Sequence, residues 1–358
     1  IYIASCNLTL FMDFSRQLID WYVVNKRELP WRDTQNPYFI WLSEVILQQT
    51  RVKQGLPYYK SFVKNYPTVQ ELAAAPQDDV LKLWQGLGYY SRARNLQAAA
   101  VQIVDNDLKF PDTYKELLTL KGVGDYTAAA IASFAFNEAV AVVDGNVYRV
   151  LSRIYGIATP INVPAGVREF KELASKLLNK KDPATHNQAI MEFGAMQCSP
   201  KNPDCDTCPF QKDCVAFNEG RITDLPVKIK KTKVKSLFHH YIVVQTPSKK
   251  LLFNQRDNSS IWAGLFEFPY IDASGALLPV EFTEHEVFKD VVGGSRFRES
   301  VYNQEPIIHK LSHRKIHAYF WIVEVEDEIN GAITIKEAQE RPVHVLMERF
   351  MKDFWQLK

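Results

Sequence analysis

The sequence predicts a multidomain protein, with an all-α domain first, a basic linker next and a smaller α+β domain last. Apolar residues recur at helical spacing as far as residue 220. Four of the five cysteines fall within residues 198–214, at the end of that helical region. Short β-branched and aromatic runs begin at residue 237. We therefore expect a helical domain over residues 12–220, a linker over 221–236 and an α+β domain over 237–358.

The helices can be placed in order from their apolar faces. Residues 13–24 and 38–50 each carry one such face. Asp78 and Asp112 are suitable N-caps for two further helices. Residues 127–136 are apolar nearly all round, which is typical of a central buried helix. The apolar residues on the first four faces are Phe14, Leu18, Trp21 and Tyr22; Ile40, Trp41, Val45 and Leu47; Val80, Leu81, Leu83 and Trp84; and Tyr114, Leu117 and Leu118.

The last domain is predicted from four strand-like runs bounded by turn residues. These runs are HHYIVVQT (239–246), KKLLFNQR (249–256), HAYFWIVEVE (317–326) and GAITIKE (331–337). The linker before them, RITDLPVKIKKTKVKS, is rich in lysine and has almost no apolar periodicity. We interpret it as an exposed tether between the two domains.

Composition and charge restrict which kinds of protein this chain can be. The chain has 358 residues, of which 46% are hydrophobic and 23% charged, as expected for a globular protein of about two domains. The net charge of +2 combines a neutral region 1–220 with +5 in the linker and −3 beyond it. Bulk charge is therefore too small to hold this chain to nucleic acid, and phosphate binding would need local features.

The same composition bears on where the protein is found. No apolar run approaches the roughly 18 residues of a membrane span, and five cysteines are too few for a disulfide scaffold. Residues 1–11 lack a basic stretch and a cleavage site, so we treat them as a leader or a non-native segment ahead of Met12. We expect a soluble, cytoplasmic monomer that does not bind membranes and that associates with the nucleoid if it is bacterial.

The most specific local signal is the spacing Cys198-x6-Cys205-x2-Cys208-x5-Cys214. Four thiolates this close can hold a [4Fe–4S] cluster or a zinc ion. Zinc sites more often pair one CxxC with another across a longer gap, which favours the iron–sulfur cluster; four free cysteines are the third alternative. Cys6 is left over, and we interpret it as an inert thiol.

A glycine-containing turn lies between two predicted helices. Gly122 and Gly124 flank Val123, which lets the backbone turn tightly and leaves its N–H groups open. Such amides at the start of a helix form a site for a phosphate oxygen. A helix–hairpin–helix element of this kind grips the nucleic-acid backbone without reading sequence. A plain turn is the alternative.

Two carboxylates have unusual surroundings. Glu44 lies in the apolar run WLSEVIL (41–47), where burial would raise its pKa toward neutrality. Asp144 follows an apolar run and precedes Gly145-Asn146, which is a position at the mouth of a site. A protonated Glu beside an ionised Asp is the arrangement that acts on glycosidic bonds. The alternatives are a surface glutamate and an ordinary helix cap.

Taken together, these segments resemble the MutY-type adenine DNA glycosylases of the endonuclease III, or helix–hairpin–helix, superfamily. The resemblance is carried by WLSEVILQQT, GLGYYSRARNL, LKGVGDYTAAAIASFAF, VVDGNVYRVLSR, HNQAIMEFGA and the cysteine spacing. It covers nearly all of residues 13–220 and continues more loosely beyond them. It implies a base-excision-repair enzyme with a [4Fe–4S] cluster that removes adenine mispaired with 8-oxoguanine in double-stranded DNA.

The resemblance also implies roles for individual residues. Glu44 would protonate N7 of adenine, and Asp144 would stabilise the oxocarbenium-like sugar or form a transient adduct with it. Tyr126 and Asn146 would position these two carboxylates. The other implied contacts are Gln49 and Tyr89, which wedge the duplex as adenine flips out; Arg27, Trp31 and Glu192, which line the adenine pocket; and Gly122, Val123 and Gly124 of the hairpin.

One departure bears on the reaction. Relatives that also cleave the strand carry a lysine nucleophile just after the hairpin, where this chain has Tyr126. A phenol cannot form the Schiff base that strand cleavage requires. Tyr148 stands at a second position where some relatives keep a lysine. We therefore expect a monofunctional glycosylase.

Residues 237–358 resemble the Nudix-like domain of the same family, beginning with SIWAGLFEFP (260–269). The Glu-rich metal-binding box does not follow that segment, so a pyrophosphatase would lack its metal site. Recognition of 8-oxoguanine is implied instead, by the hairpin at residues 309–313. Ser312 would contact the oxidised base edge beside His313, whereas Leu311 replaces the usual Phe and argues against intercalation.

Three alternatives remain at this point. An endonuclease III-like glycosylase of other base specificity is disfavoured by Tyr126 and by the second domain. A non-enzymatic iron–sulfur protein that carries electrons or binds DNA would make Glu44 and Asp144 dispensable. Nucleotide hydrolysis by the C-terminal domain is disfavoured by the missing metal-binding box.

Overall fold

The computed structural model describes residues 8–229, 234–257 and 261–356, with side chains from Phe14 onward in the first helix. Its contacts divide the chain into two compact units. The helical unit comprises residues 1–74 and 98–230, and the sheet unit comprises residues 75–97 and 231–358. Cys6, Ser260 and three linker lysines at 230, 231 and 233 lie outside the described residues. Within the described ranges, no helix is long and apolar enough to cross a membrane.

The first part of the chain forms helices throughout, as predicted. In order they are α1 (Leu8–Asn25), α2 (Pro37–Leu47), α3 (Val52–Asn65), α4 (Val69–Ala74), α5 (Gln77–Trp84), α6 (Ser91–Asp105), α7 (Tyr114–Leu117), α8 (Asp125–Phe136), α9 (Gly145–Tyr155), α10 (Pro164–Leu177), α11 (Pro183–Met196) and α12 (Val215–Asn218).

The core of the helical unit forms where α1, α9, α10 and α11 meet. Leu18, Val150, Phe170 and Phe193 are almost completely buried there. Helix α8 packs against α2 and α11, and its run of alanines is buried on all sides. Small side chains let neighbouring helices approach closely, so the prediction of a central buried helix is confirmed.

Two predicted helix caps are wrong. Pro76 precedes α5, and Asp78 lies in the first turn of that helix. Thr113 caps α7 instead of Asp112, because the Thr113 hydroxyl accepts from the Glu116 N–H. Both acidic residues stay near a helix N-terminus, where the helix dipole favours them.

The predicted helical domain includes one internal segment that the structure places in the other unit. Residues 75–97 belong to the sheet unit. Backbone carbonyls explain this, because Lys82 donates to the carbonyl of Arg341 at 3.1 Å and Arg94 donates to that of Ala263 at 2.6 Å. Such bonds to backbone atoms leave no pattern in the sequence.

A mixed sheet organises the rest of the sheet unit. The strands of the unit are β1 (Lys235–Gln245), β2 (Asn254–Gln255), β3 (Phe266–Glu267), β4 (Tyr270–Ala273), β5 (Phe297–Val301), β6 (Ile307–Lys310) and β7 (Arg314–Val325). Strands β2 and β3 pair with each other in a separate two-stranded sheet. The order of the main sheet is β4-β1-β7-β5, with β6 also paired to β7. Strands β1 and β7 are parallel, with Tyr241 opposite Phe320, and the other pairs are antiparallel.

Helices cover both faces of this sheet. They are α13 (Pro279–Glu284), α14 (Glu286–Val292), α15 (Ile335–Glu340) and α16 (Val345–Trp355). One core holds Tyr241 and Phe320 with residues of α15 and α16, and the other holds Ile242 and Trp321 with residues of α13 and α14. Alternating residues of the central strands thus face opposite layers, as period-two side-chain geometry requires.

Two of the four predicted strands differ from the structure. In residues 249–256 only a bridge at Leu251 and the short β2 form. In residues 331–337 Ile333 makes a single bridge, after which Thr334 and Glu337 form a capping box that starts α15. The Thr-x-x-Glu cap overrides the β-branched composition of that run.

The predicted tether is packed over its first half. Leu225 is 2% exposed, and its carbonyl accepts from Arg153. The carbonyl of Val227 accepts from the Ile161 N–H at 3.0 Å. Residues 221–229 therefore belong to the helical unit, and β1 already begins at Lys235. This half carries most of the apolar residues of the linker, such as Ile222, Leu225 and Val227, which explains why it packs.

Candidate active site

Glu44 lies on the buried side of α2. Asn36 caps this helix and Pro37 opens it, so that the apolar run around Glu44 continues as a helix. Glu44 itself is 6% exposed, and the Tyr126 hydroxyl donates to its Oε2 at 2.6 Å. Burial raises the pKa of Glu44 to about 7, with the nearby charge of Asp144 adding to the effect and the Tyr126 hydrogen bond opposing it. Near neutral pH this carboxyl can therefore donate a proton.

Asp144 caps α9 and faces the same cavity as Glu44. Its Oδ1 accepts from the N–H groups of Asn146 and Val147, each at 2.8 Å. Its Oδ2 accepts from the Asn146 side-chain amide at 2.7 Å. Burial raises the pKa of Asp144, and these three donors oppose that rise by favouring the charged form. Asp144 is therefore both the N-cap of α9 and a carboxylate of the cavity, so the two interpretations of this residue are compatible.

Arg149 is a member of this site that the sequence analysis missed. It is almost fully buried on α9 and donates to Asn146 Oδ1 at 2.8 Å, to the Gly194 carbonyl at 2.6 Å and to the Cys198 carbonyl at 2.8 Å. It therefore fixes the amide that binds Asp144. The available signal was an arginine three residues after Asn146 between apolar neighbours.

One cavity of about 610 Å³ collects the predicted catalytic residues and the predicted adenine-pocket residues of the helical unit. This volume lies in the usual range for small-molecule sites. The predicted residues that line it are Glu44, Tyr126, Asp144, Asn146, Arg27, Trp31 and Glu192. Trp31 is 8% exposed and meets the Tyr59 ring edge to face.

Glu192 is the charged centre of one wall. It accepts from Arg27 at 2.7 and 2.6 Å through both carboxylate oxygens, and from Arg32 at 2.7 Å. Burial favours the neutral acid, but the hydrogen bonds from the two arginines outweigh it and lower the pKa of Glu192 to about 2. Arg32 was not predicted, because its partner lies 160 residues away.

The predicted hairpin forms between α7 and α8. Gly122 has a φ of +75°, which favours glycine, and Gly124 is the N-cap of α8 with open space beside its Cα. Val123 is 7% exposed and anchors the turn. The acidic residue at the start of α8, Asp125, pairs with Lys171 and with the Tyr114 hydroxyl, so its charge is compensated. The Val123 N–H donates to the Leu120 carbonyl at 3.1 Å and closes the turn, so an anion would be held by the amides beside it.

The two predicted wedge residues share an unusual backbone. Gln49 has a φ of +56° and Tyr89 a φ of +48°, although neither is glycine. Both side chains are exposed. Strained, exposed positions of this kind are typical of functional sites. The neighbouring Gln48 instead turns inward and donates to the Thr127 hydroxyl at 3.0 Å.

The predicted lesion-sensing hairpin joins β6 to β7 in the sheet unit. The Leu311 N–H donates to the Arg314 carbonyl at 2.8 Å and closes the turn. Ser312 and His313 are exposed at its tip, whereas Leu311 packs against the core. Ser312 Oγ lies 2.6 Å from the Tyr89 hydroxyl.

The four cysteines line one small cavity beside α9 and α11. Arg153 donates to Cys198 Sγ at 3.4 Å and to the carbonyls of Ser199 and Pro200. Burial raises the pKa of Cys208 to about 12 and also raises those of Cys205 and Cys214. Across the described parts of the chain, no group of three or more His, Cys, Asp or Glu side chains is gathered as a ready site for one metal ion.

Comparison with protein families assigns both units. Residues 42–180 match the HhH-GPD superfamily of base excision DNA repair proteins. Residues 240–353 match the NUDIX domain. The predicted fold class, a helix–hairpin–helix glycosylase domain followed by a Nudix-like α+β domain, is therefore confirmed.

Curated relatives agree with this assignment. An adenine DNA glycosylase of Buchnera aphidicola (from Schizaphis graminum) is 32% identical over 313 residues, covering 87% of each chain. Adenine DNA glycosylases of Arabidopsis thaliana and Homo sapiens are 37% and 34% identical and cover 71% and 72% of this chain. The matched region spans 46% and 57% of the length of these two longer relatives.

Solved structures resemble the helical part of the chain. A thermostable thymine-DNA glycosylase is 29% identical, with a TM-score of 0.54 over 59% of this chain and 98% of its own. Endonuclease III in complex with DNA shares the fold at 22% identity, with a TM-score of 0.52 over 59% of this chain and 97% of its own.

Proposed function

Because the chain belongs to the adenine DNA glycosylase family, we propose that it hydrolyses the N-glycosidic bond of adenine mispaired with 8-oxoguanine or guanine in double-stranded DNA. The observation that carries this proposal is the pair Glu44 and Asp144, which line one cavity of base-binding size. Family membership supplies the substrate class, and the geometry supplies the two groups that the reaction needs.

In the proposed mechanism Glu44 acts as the general acid. With a pKa of about 7, it is protonated often enough near neutral pH to donate a proton to N7 of a flipped adenine. Protonation turns the base into a better leaving group, which departs with the electron pair of the C–N bond. Positive charge then develops on the sugar until water adds at C1′ and loses a proton. Asp144, held by three N–H donors, stabilises that charge. Tyr126 and Asn146 orient the two carboxylates.

Strand cleavage is not part of the proposal. Tyr126 stands where a lysine would form a Schiff base, and burial raises the pKa of its phenol well above the ordinary value. The hydroxyl therefore stays protonated and serves as a hydrogen-bond donor. A monofunctional enzyme follows.

DNA binding is proposed for local features, since bulk charge is small. The amides around Gly122, Val123 and Gly124 would hold a phosphate, and Gln49 and Tyr89 would insert at or beside the lesion as the adenine flips out. Flipping costs a few kcal/mol of unstacking, which pocket contacts offset. Trp31 and the Arg27–Glu192 pair would contact the adenine.

Lesion recognition is proposed for the hairpin of the sheet unit. Ser312 is exposed at its tip and His313 follows it. Leu311 packs inward, so it is not proposed to intercalate. The Nudix-like domain would therefore act as a reader of 8-oxoguanine and not as a hydrolase.

A [4Fe–4S] cluster is proposed for Cys198, Cys205, Cys208 and Cys214. The four sulfurs line one cavity, and backbone N–H groups such as those of Phe210 and Phe217 point at Cys208 and Cys214. An iron–sulfur cube spreads its ligands over four iron atoms, so the sulfurs need not converge on one point. Without iron, the three cysteines with raised pKa values would be thiols at neutral pH, whereas bound iron would keep them as thiolates. The cluster would hold the loop 198–214 in shape.

The experiment that tests the activity is single-turnover excision on duplexes with adenine opposite 8-oxoguanine, guanine or thymine. We expect the fastest release with 8-oxoguanine and no strand cut before alkali. Glu44→Gln should abolish release and keep mispair binding; normal turnover by this variant would remove Glu44 from the mechanism. Iron and sulfide analysis of the purified protein, which we expect to be brown, tests the cluster, and a colourless, zinc-containing protein would contradict it. Sedimentation tests the proposed monomer, and the proposed location is the cytoplasm, on the nucleoid in a bacterium.

A further inference from the structure

Tyr89 and Ser312 form a hydroxyl pair inside the sheet unit. Their oxygen atoms lie 2.6 Å apart although 223 residues separate them in the chain. Tyr89 is 51% exposed and Ser312 is also exposed, so a ligand can reach the pair. Either hydroxyl can be the donor. Wedging a duplex needs only the aromatic ring of Tyr89. The contact with Ser312 therefore indicates a second role, which belongs to the Tyr89 hydroxyl.

The loop that carries Tyr89 is held firmly. Gly88 and Tyr89 both have positive φ values, and Arg92 donates to the Gly88 carbonyl at 3.2 Å. The Arg92 guanidinium also lies over the Trp84 and Tyr89 rings, at 4.9 and 5.9 Å from their centroids. The adjacent Tyr90 donates to the Val343 carbonyl at 3.3 Å. The phenol is therefore fixed relative to the sheet.

The hairpin that carries Ser312 is fixed to the same sheet. Strands β6 and β7 pair from Ile307 to Lys310, and Leu311 anchors the turn in the core. The ring of His309, on β6, lies 5.5 Å from that of Trp262. The loop with Tyr89 and the hairpin with Ser312 are thus both fixed to the sheet, which holds the two hydroxyls together.

We propose that the Tyr89 hydroxyl determines lesion specificity by fixing the hydroxyl rotor of Ser312. This inference rests on the proposed reading of 8-oxoguanine by Ser312. It separates two roles of Tyr89, with the ring acting as the wedge and the hydroxyl acting on Ser312. The loop that carries Tyr89 and the hairpin that carries Ser312 then act together in recognising the lesion.

The chemistry of the two bases explains the need for this arrangement. Guanine presents N7 as an acceptor, whereas 8-oxoguanine carries an N7–H donor beside its C8 oxygen. A free serine hydroxyl rotates to suit either partner, so it discriminates poorly. When Ser312 gives its proton to the Tyr89 oxygen, only its lone pairs face the base. These accept from the N7–H of 8-oxoguanine and repel the N7 lone pair of guanine.

A double-mutant cycle tests the proposal. Wild type, Tyr89→Phe, Ser312→Ala and the double variant are compared by the ratio of single-turnover rates for adenine opposite 8-oxoguanine and opposite guanine. Binding of the same two duplexes with a non-cleavable adenine analogue gives a second readout. Tyr302→Phe is the matched control, because it removes an exposed phenol hydroxyl whose ring packs on Phe350 and Phe354 in the same unit. Thermal unfolding checks that each variant is folded.

We expect Tyr89→Phe and Ser312→Ala each to lower the ratio by about three- to tenfold, the range of one neutral hydrogen bond. The double variant should lose no more than Ser312→Ala alone, because both changes disable the same arrangement. A wild-type ratio in Tyr89→Phe, with the loss present in Ser312→Ala, overturns the inference and leaves the lesion-reading role intact. The inference is also overturned if the loss in the double variant equals the product of the two single losses, because the two hydroxyls would then act independently. A wild-type ratio in Ser312→Ala overturns the lesion-reading role itself.

Discussion

The Tyr126 hydroxyl donates to Glu44 Oε2 at 2.6 Å in a site that burial makes poorly solvated. The phenol stays protonated, since burial and the adjacent carboxylates keep its pKa well above the ordinary value, so it acts on Glu44 as a hydrogen-bond donor. Its hydrogen bond favours the charged form of Glu44, whereas burial favours the neutral form. The pKa of Glu44 thus reflects a balance that mutation can shift in a known direction.

The first prediction concerns the pH dependence of excision. Glu44 acts while protonated, and its pKa is about 7, so the rate should fall as pH rises through about 7. Above that pH, on the alkaline limb of the profile, the excision rate should fall by nearly tenfold for each further pH unit. Single-turnover rates on adenine opposite 8-oxoguanine, measured across this range, give the limb directly. A rate that stays flat well above this pKa would contradict the acid role.

The second prediction concerns Tyr126→Phe. Removing the hydroxyl deletes a bond that lowers the pKa of Glu44, so the alkaline limb should move to higher pH. The rate on the plateau should fall several-fold, because the acid loses its orientation. Tyr148→Phe is the matched control, since this ring packs on Phe170 at 5.1 Å and its residue does not line the cavity. A limb that stays in place, or moves down, would show that Tyr126 does not tune Glu44.

Local pattern was sufficient to predict much of the site. Glu44 and Asp144 each lie beside an apolar run, and the glycine hairpin and the cysteine spacing are compact motifs. The structure brings both carboxylates to one cavity, as the sequence suggested. These features depend on neighbours within a few residues.

Contacts between remote residues could not be predicted. Arg32 meets Glu192 across 160 residues, and Tyr89 meets Ser312 across 223. Arg153 binds mostly backbone carbonyls, which every residue has. The parallel pairing of β1 with β7 likewise depends on how the whole unit packs. Such contacts leave no periodic signal for a single sequence to show.

The third prediction separates the two roles of Asp144. Asn caps helices about as well as Asp, so Asp144→Asn should keep the α9 cap while losing the charge that stabilises the sugar. Asp144→Ala should lose both, at about 1 kcal/mol of stability. We therefore expect excision to collapse in both variants, and the unfolding temperature to fall clearly only in Asp144→Ala. Thermal melts with single-turnover rates check this, and full activity in Asp144→Asn would leave only the capping role.

The fourth prediction concerns the acid stability of the pocket wall. Arg27 and Arg32 hold the pKa of Glu192 at about 2, below its ordinary value of 4.5. A lowered carboxyl pKa stabilises the fold above the unfolded-state value, and this stabilisation is lost as pH falls through the folded-state value. The shift corresponds to about 3 kcal/mol at neutral pH.

Glu192→Gln should therefore destabilise the protein at neutral pH, and its deficit should shrink as pH falls from about 4.5 toward 2. Denaturant unfolding at several pH values measures the deficit. Glu299→Gln, an exposed change on β5, is the control and should show no such trend. Contributions that both proteins share, such as protonation of His186, cancel in the difference because they act equally on each. A deficit that stays constant with pH would mean that Glu192 acts through packing, and not through its charge beside the two arginines.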